Sequence, residues 1–77
     1  MDTQQPNIHV GKLIQATLKQ QGRSVTWFSE QLCCSRTNIY LIYKKKYVDI
    51  ELLVRISKVL NINFFQYIAN EIAKELS

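Results

Sequence analysis

The sequence predicts an all-α fold, a single domain of five short helices. Two observations carry that reading. Apolar residues recur at steps of three and four from His9 almost to the end of the chain, the spacing that gathers them on one face of a helix. Ser24, Ser35, Asp49 and Asn63, whose side chains accept from free first-turn amides, stand ahead of four of those runs, and Gly22 and Asn61 stand where helices end. At 77 residues the chain is one domain, because a core this small buries only about 60% of the unfolded surface and does not divide further.

Taken in order, residues 1–8 hold Pro6 among polar neighbours and read as a flexible arm, leaving 9–77 as the domain. The arm lacks the basic and apolar regions of a signal peptide, so a cytoplasmic protein is expected. Val10, Leu13, Ile14, Thr17 and Leu18 then define a first helix ending near Gln21, with Gly22 in the left-handed position that closes it. His9, at its edge, reads as a surface histidine, since a metal set needs clustered partners. Ser24 caps a second helix with Val25, Phe28, Ser29 and Leu32 on one face. Trp27 lies off that face and either packs on a neighbouring helix or flanks a bound backbone. Cys33 breaks the period, Cys34 supplies an apolar contact, and Ser35 caps a third helix whose inward residues are Ile39, Ile42 and Tyr43.

Asp49 caps the fourth helix, where Leu52, Leu53, Ile56, Val59 and Leu60 form the strongest stripe in the chain. Glu51 and Arg55, one turn apart, read as a surface pair worth a few tenths of a kcal/mol. Asn61 ends that helix. Asn63 with Gln66 has the capping-box pattern, with Ile62 and Tyr67 spaced as a staple, so a fifth helix starts at Phe64. Its apolar residues are Phe64, Phe65, Ile68, Ile72 and Leu76, of which the first three suffice to close the core.

Composition narrows the chemistry. Two cysteines and one histidine supply neither a disulfide framework nor a closed zinc site, and the adjacent Cys33 and Cys34 read as reduced thiols. No paired carboxylates, activated nucleophile or phosphate loop is present, so no catalysis and no cofactor are implied. The net charge is +4, and its placement is uneven. Lys12, Lys19, Arg23, Arg36, Lys44, Lys45 and Lys46 face a single acid, Glu30, and from Gln31 to Val48 there is none. An undiluted positive face favours a polyanionic partner, against the plainer reading of a solvated face.

That face falls on the third helix. At about 100° per residue, the side opposite Ile39 holds Thr37, Leu41 and Lys44, flanked by Asn38 and Tyr40, with Arg36 in the first turn. Two short helices set at an angle, the second presenting such a face, are how a helix-turn-helix enters the major groove of duplex DNA. Arg36 is suited to a bidentate contact with guanine, worth ~1–3 kcal/mol of discrimination, or to a phosphate. Thr37 and Leu41 suit a thymine methyl, Leu41 alternatively a partner contact. Lys44, Lys45 and Lys46 act as backbone clamps or form a solvated loop.

The helix order, with Phe28, Ser29, Leu32, Cys34, Ile39 and Ile42 as the internal positions of the two-helix unit, resembles the lambda-repressor-like (Xre/Cro-type) regulator family over residues 9–68. The segment ELLVRISKVLNINFFQYI is similar to the family's fourth helix and the start of its fifth. The resemblance implies base reading by Arg36, Thr37, Tyr40 and Leu41, and phosphate contacts by Ser24, Ser35, Asn38 and Lys44, in a bacterial or phage-type transcriptional regulator. Three positions depart from the family. Cys33 stands where glycine is usual, so it either adopts a left-handed conformation or alters the turn. Val25 replaces a glutamine that braces the recognition helix on DNA, and Tyr43 replaces an acid.

Ile72 and Leu76 lie beyond what the small core covers, and a two-fold homodimer through them is expected. Such dimers read half-sites about one helical turn apart. The reading from another class is a protein-interaction module of the same fold, an antitoxin or assembly factor. RNA binding is disfavoured because A-form major grooves exclude a helix.

Overall fold

The computed structural model describes residues 8–76, and over these the chain is all-helical with no strand. Helices α1 (Val10–Gln20), α2 (Val25–Gln31), α3 (Arg36–Lys44), α4 (Ile50–Leu60) and α5 (Phe64–Leu76) follow in sequence. Residues 1–7 of the expected arm lie outside the described residues. Ile8, assigned to that arm from sequence, is buried in the core and belongs to the domain: its side chain is apolar and sits directly ahead of α1.

Each helix starts on a side chain. Ser24 Oγ accepts from the Trp27 amide at 3.0 Å, Ser35 Oγ from Asn38 at 3.2 Å, and Asp49 Oδ1 from Leu52 at 2.7 Å. Asn63 Oδ1 accepts from Gln66 at 3.1 Å, but the Gln66 side chain turns down the helix to Asn70 Oδ1 (3.0 Å), so the expected capping box is half formed. α1 is capped by His9, whose Nδ1 accepts from the Lys12 amide at 3.1 Å. That acceptor requires Nδ1 to be unprotonated.

Three helices end alike, in a left-handed residue with a six-to-one hydrogen bond behind it. Gly22 (φ 70°) closes α1, with the Arg23 amide donating to the Leu18 carbonyl at 3.1 Å. Asn61 (φ 56°) closes α4, with Ile62 donating to Ser57 at 3.0 Å. Cys33 (φ 56°) closes α2, with Cys34 donating to Ser29 at 3.0 Å. Of the two outcomes open for Cys33, the chain adopts the left-handed residue.

Every helix sends one fully buried residue to a common centre: Ile14 from α1, Phe28 from α2, Ile39 from α3, Ile56 from α4 and Phe64 from α5. Burying each contributes on the order of 1.5–3 kcal/mol. Phe65 does not join them. It is about one-third exposed, because neighbouring helical residues point some 100° apart and Phe64 takes the inward direction. Ile68 packs at the margin instead. Two buried residues satisfy their hydroxyls locally, Thr17 Oγ1 donating to the Leu13 carbonyl and Ser29 Oγ to Thr26, both at 2.8 Å, whereas the buried Ser57 Oγ has no hydrogen-bond partner.

α3 packs against both α1 and α2. At Gly11, α1 and α3 come so near that a Cβ would collide with the carbonyl oxygens of Ile42, Tyr43 and Lys45. Val10 and Gly11, whose amides are free at the start of α1, donate to the Lys46 and Lys45 carbonyls at 2.8 and 2.9 Å. Two long side chains tie the remaining ends: Gln21 Nε2 donates to the Leu60 carbonyl and Arg55 to the Leu32 carbonyl, both at 2.9 Å. Arg55 is thus a strut from α4 to the end of α2, where the sequence suggested only a surface pair with Glu51.

Candidate nucleic-acid interface

The 3.6-residue period of α3 sends Ile39, Ile42 and Tyr43 into the core and leaves Arg36, Thr37, Asn38, Tyr40, Leu41 and Lys44 exposed. Tyr40 and Leu41 are each about half exposed, at 53% and 50%, unusual for large apolar surfaces with the core so close. Tyr40 is held against Tyr43 edge to face, ring centroids 6.1 Å apart. Burial, and secondarily the neighbouring Tyr40, push the Tyr43 hydroxyl above its ordinary value of 10.0. A neutral Tyr43 therefore sits under Tyr40.

The lysines that follow have fixed backbones and exposed side chains. Lys45 ends α3 in an extended conformation, and the α1 amides pin its carbonyl and that of Lys46. Lys46 Nζ lies 5.6 Å from the ring centroid of Tyr47. Pinning matters because an anion contact made by a side chain on a fixed backbone loses less conformational entropy than one from a loose loop.

Ser24 and Ser35, expected near phosphates, are the N-caps of α2 and α3 and are exposed. Their oxygens accept from amides, which leaves each hydroxyl proton available to a further acceptor. Trp27 packs on the core's edge, and the Arg23 guanidinium stacks 4.4 Å from its ring centroid. This joins Arg23 to the exposed start of α2. Ile72 and Leu76 lie on α5, a separate element, 45% and 82% exposed.

The exposed side of α3 is a ridge between two hollows, which the sequence did not reveal. Toward α1, a hollow of about 430 Å³ is lined by His9, Lys12, Gln15, Tyr40, Tyr43 and Lys44. Toward α4, a larger one of about 500 Å³ runs past Asn38, Leu41, Lys44 and Lys45 to Leu52 and Arg55. Lys44 borders both. Lys12, already counted in the basic set, and Gln15 extend the cationic, hydrogen-bonding face onto α1; Gln15's only sequence signal is that it falls three residues from Lys12 on the polar side of the first helix.

Among the described residues no group of three or more His, Cys, Asp or Glu is gathered as a metal site, and no helix is long and apolar enough to cross a membrane. No family model, curated protein or solved structure matches the chain.

Proposed function

We propose that this chain is a sequence-specific duplex DNA-binding protein of lambda-repressor-like type, in which α2 and α3 act as a helix-turn-helix and α3 enters the major groove, and that it regulates transcription in a bacterial or phage setting. One observation carries the reading: α3 presents Arg36, Thr37, Tyr40, Leu41 and Lys44 outward while its other side is locked into the core, and Lys45 and Lys46 follow with no acid among them. The major groove of B-form DNA admits an α-helix, and a helix of this exposed composition suits its base edges and the charge of its borders.

In this reading Arg36 donates to guanine O6 and N7, and Thr37 and Leu41 meet thymine methyls. Tyr40 reads a base edge from its seat on Tyr43. Ser24, Ser35, Asn38 and Lys44–Lys46 engage phosphates, setting register and supplying salt-dependent affinity. Ile72 and Leu76 join two copies, so that two ridges meet successive half-sites. The exposed apolar residues of α5 equally favour the second reading, a module that holds an unlike protein through that helix.

Selection from random duplex DNA tests the first reading. The parent chain enriches one motif, and Arg36→Ala or Thr37→Ala erases part of it. Absence of enrichment together with absence of salt-dependent duplex binding overturns the reading and leaves the protein-interaction module.

A further inference from the structure

The hollow on the α4 side of α3 has a composition that a phosphate-binding groove does not need. Its most buried lining residues, Leu32 and Ile42, are 4% and 6% exposed, and the partly buried Cys34 and Leu52 add to the same apolar surface. Half-exposed Leu41 forms one wall. The exposed cations Lys44, Lys45 and Arg55 also line it, and no carboxylate does. Arg55 is held in place by its bond to the Leu32 carbonyl, which uses one of five guanidinium donors.

A volume of about 500 Å³ lies in the range of small-molecule sites, which combine apolar walls with a few placed polar groups. Phosphodiesters demand cations and donors and gain nothing from a leucine floor. A ligand with an alkyl chain and one anionic end satisfies both parts: the chain covers the floor at roughly 25 cal/mol per Å² buried, and the head meets the guanidinium and two ammonium groups.

We infer that the α3–α4 hollow is a binding site for a single-chain amphiphile with an anionic head, of the alkyl carboxylate class. Leu41, Lys44 and Lys45 serve both this site and the ridge, so occupancy excludes duplex DNA. That consequence rests on the DNA-binding reading; the site itself does not.

The two cysteines supply the assay. Cys34 lines the hollow, whereas Cys33 is exposed on the turn outside it. In Cys33→Gly the sole thiol is Cys34, and in Cys34→Ala it is Cys33. Decanoate below its micellar concentration, at about ten times its dissociation constant, slows maleimide alkylation of Cys34 roughly tenfold. It slows Cys33 less than about twofold, and decyltrimethylammonium, the same chain with a cationic head, protects neither. Leu41→Gln and Lys45→Gln, both at exposed positions, each raise the decanoate concentration needed by about fivefold or more.

Equal slowing of both thiols, equal protection by the cationic chain, or no protection of Cys34 by millimolar decanoate overturns the site. With duplex present, decanoate displaces it over the same concentration range. Duplex that stays bound while Cys34 is protected refutes the exclusion. Duplex that never binds, with Cys34 still protected, refutes the DNA reading and leaves the site standing.

Discussion

The Gly11 amide donates to the Lys45 carbonyl at 2.9 Å, so the first turn of α1 is bonded to the end of the helix that carries the candidate DNA ridge. The contact is possible only because residue 11 has no Cβ. Gly11→Ala drives a methyl carbon into three carbonyl oxygens, and relief requires α1 and α3 to separate. Overpacking of this kind costs about 1–3 kcal/mol, and for a domain of this size each kcal/mol lowers Tm by roughly 4–8 °C. Thermal unfolding followed by circular dichroism checks this. An unchanged Tm would show that the two helices slide apart freely.

Cys33 offers the opposite result. A side chain with a Cβ in the left-handed region costs on the order of 1–2 kcal/mol, and Cys33 holds φ 56° to close α2. Cys33→Gly removes that strain and gives back part of the gain by freeing the unfolded chain, for a net stabilisation of about 0.5–1 kcal/mol. Cys33→Val, branched at Cβ, destabilises by more than the glycine variant gains. Urea midpoints at constant m-value measure both; a destabilised Cys33→Gly would show that the thiol makes a contact that outweighs the strain.

These two positions mark how far the sequence could be read. Ser24, Ser35, Asp49, Gly22 and Asn61 were legible because each acts on backbone groups two to five residues away, chemistry that a linear string contains. The inward sets of α3 and α4 were legible for the same reason, as periodicity. His9 as a cap was missed because histidine seldom plays that part. Arg55 at the Leu32 carbonyl, Arg23 on Trp27, the inward turn of Ile8 and the two hollows beside α3 depend on how helices distant in sequence meet, and no local pattern encodes that. Nor could period alone choose between Phe64 and Phe65, two equal aromatics of which one fits the space.

Tyr43 makes stability fall in alkali. Burial raises its hydroxyl's pKa above 10.0, so above pH 10 the unfolded chain loses a proton that the folded chain retains. The stabilisation is fully present below pH 10 and is lost as pH rises through the higher folded value. Tyr43→Phe keeps the ring packing under Tyr40 and removes the titration. Unfolding free energies of parent and variant, compared from pH 8 to 11, diverge only above pH 10, with the parent falling faster. Parallel curves would show Tyr43 ionising as freely in the fold as out of it.

Ile72 is nearly half exposed, so charging it disturbs the isolated fold little, by about 0.5 kcal/mol or less. If two copies associate through α5, Ile72→Glu places like charges at the centre of a self-complementary contact. Sedimentation at tens of micromolar is expected to give a dimer for the parent and a monomer for the variant, with Tm at low concentration unchanged. A parent that is monomeric there removes the dimer and, with it, paired half-sites.

On the proposed DNA-binding reading, Arg36 specifies the sequence and Lys45 attracts the backbone. Arg36 stands exposed in the first turn of α3, the part of a recognition helix that reaches base edges, whereas Lys45 lies past its end with its carbonyl bonded to Gly11. On a selected duplex, Arg36→Ala is expected to lose ~1–3 kcal/mol and to relax preference at one base pair. Lys45→Gln is expected to weaken selected and scrambled duplexes alike and to lower the slope of log affinity against log salt by about 1. Affinities at four salt concentrations, on both duplexes, resolve the two effects. If Arg36→Ala also weakens both duplexes equally and lowers the slope, Arg36 is a phosphate contact, and base reading passes to Thr37, Tyr40 and Leu41.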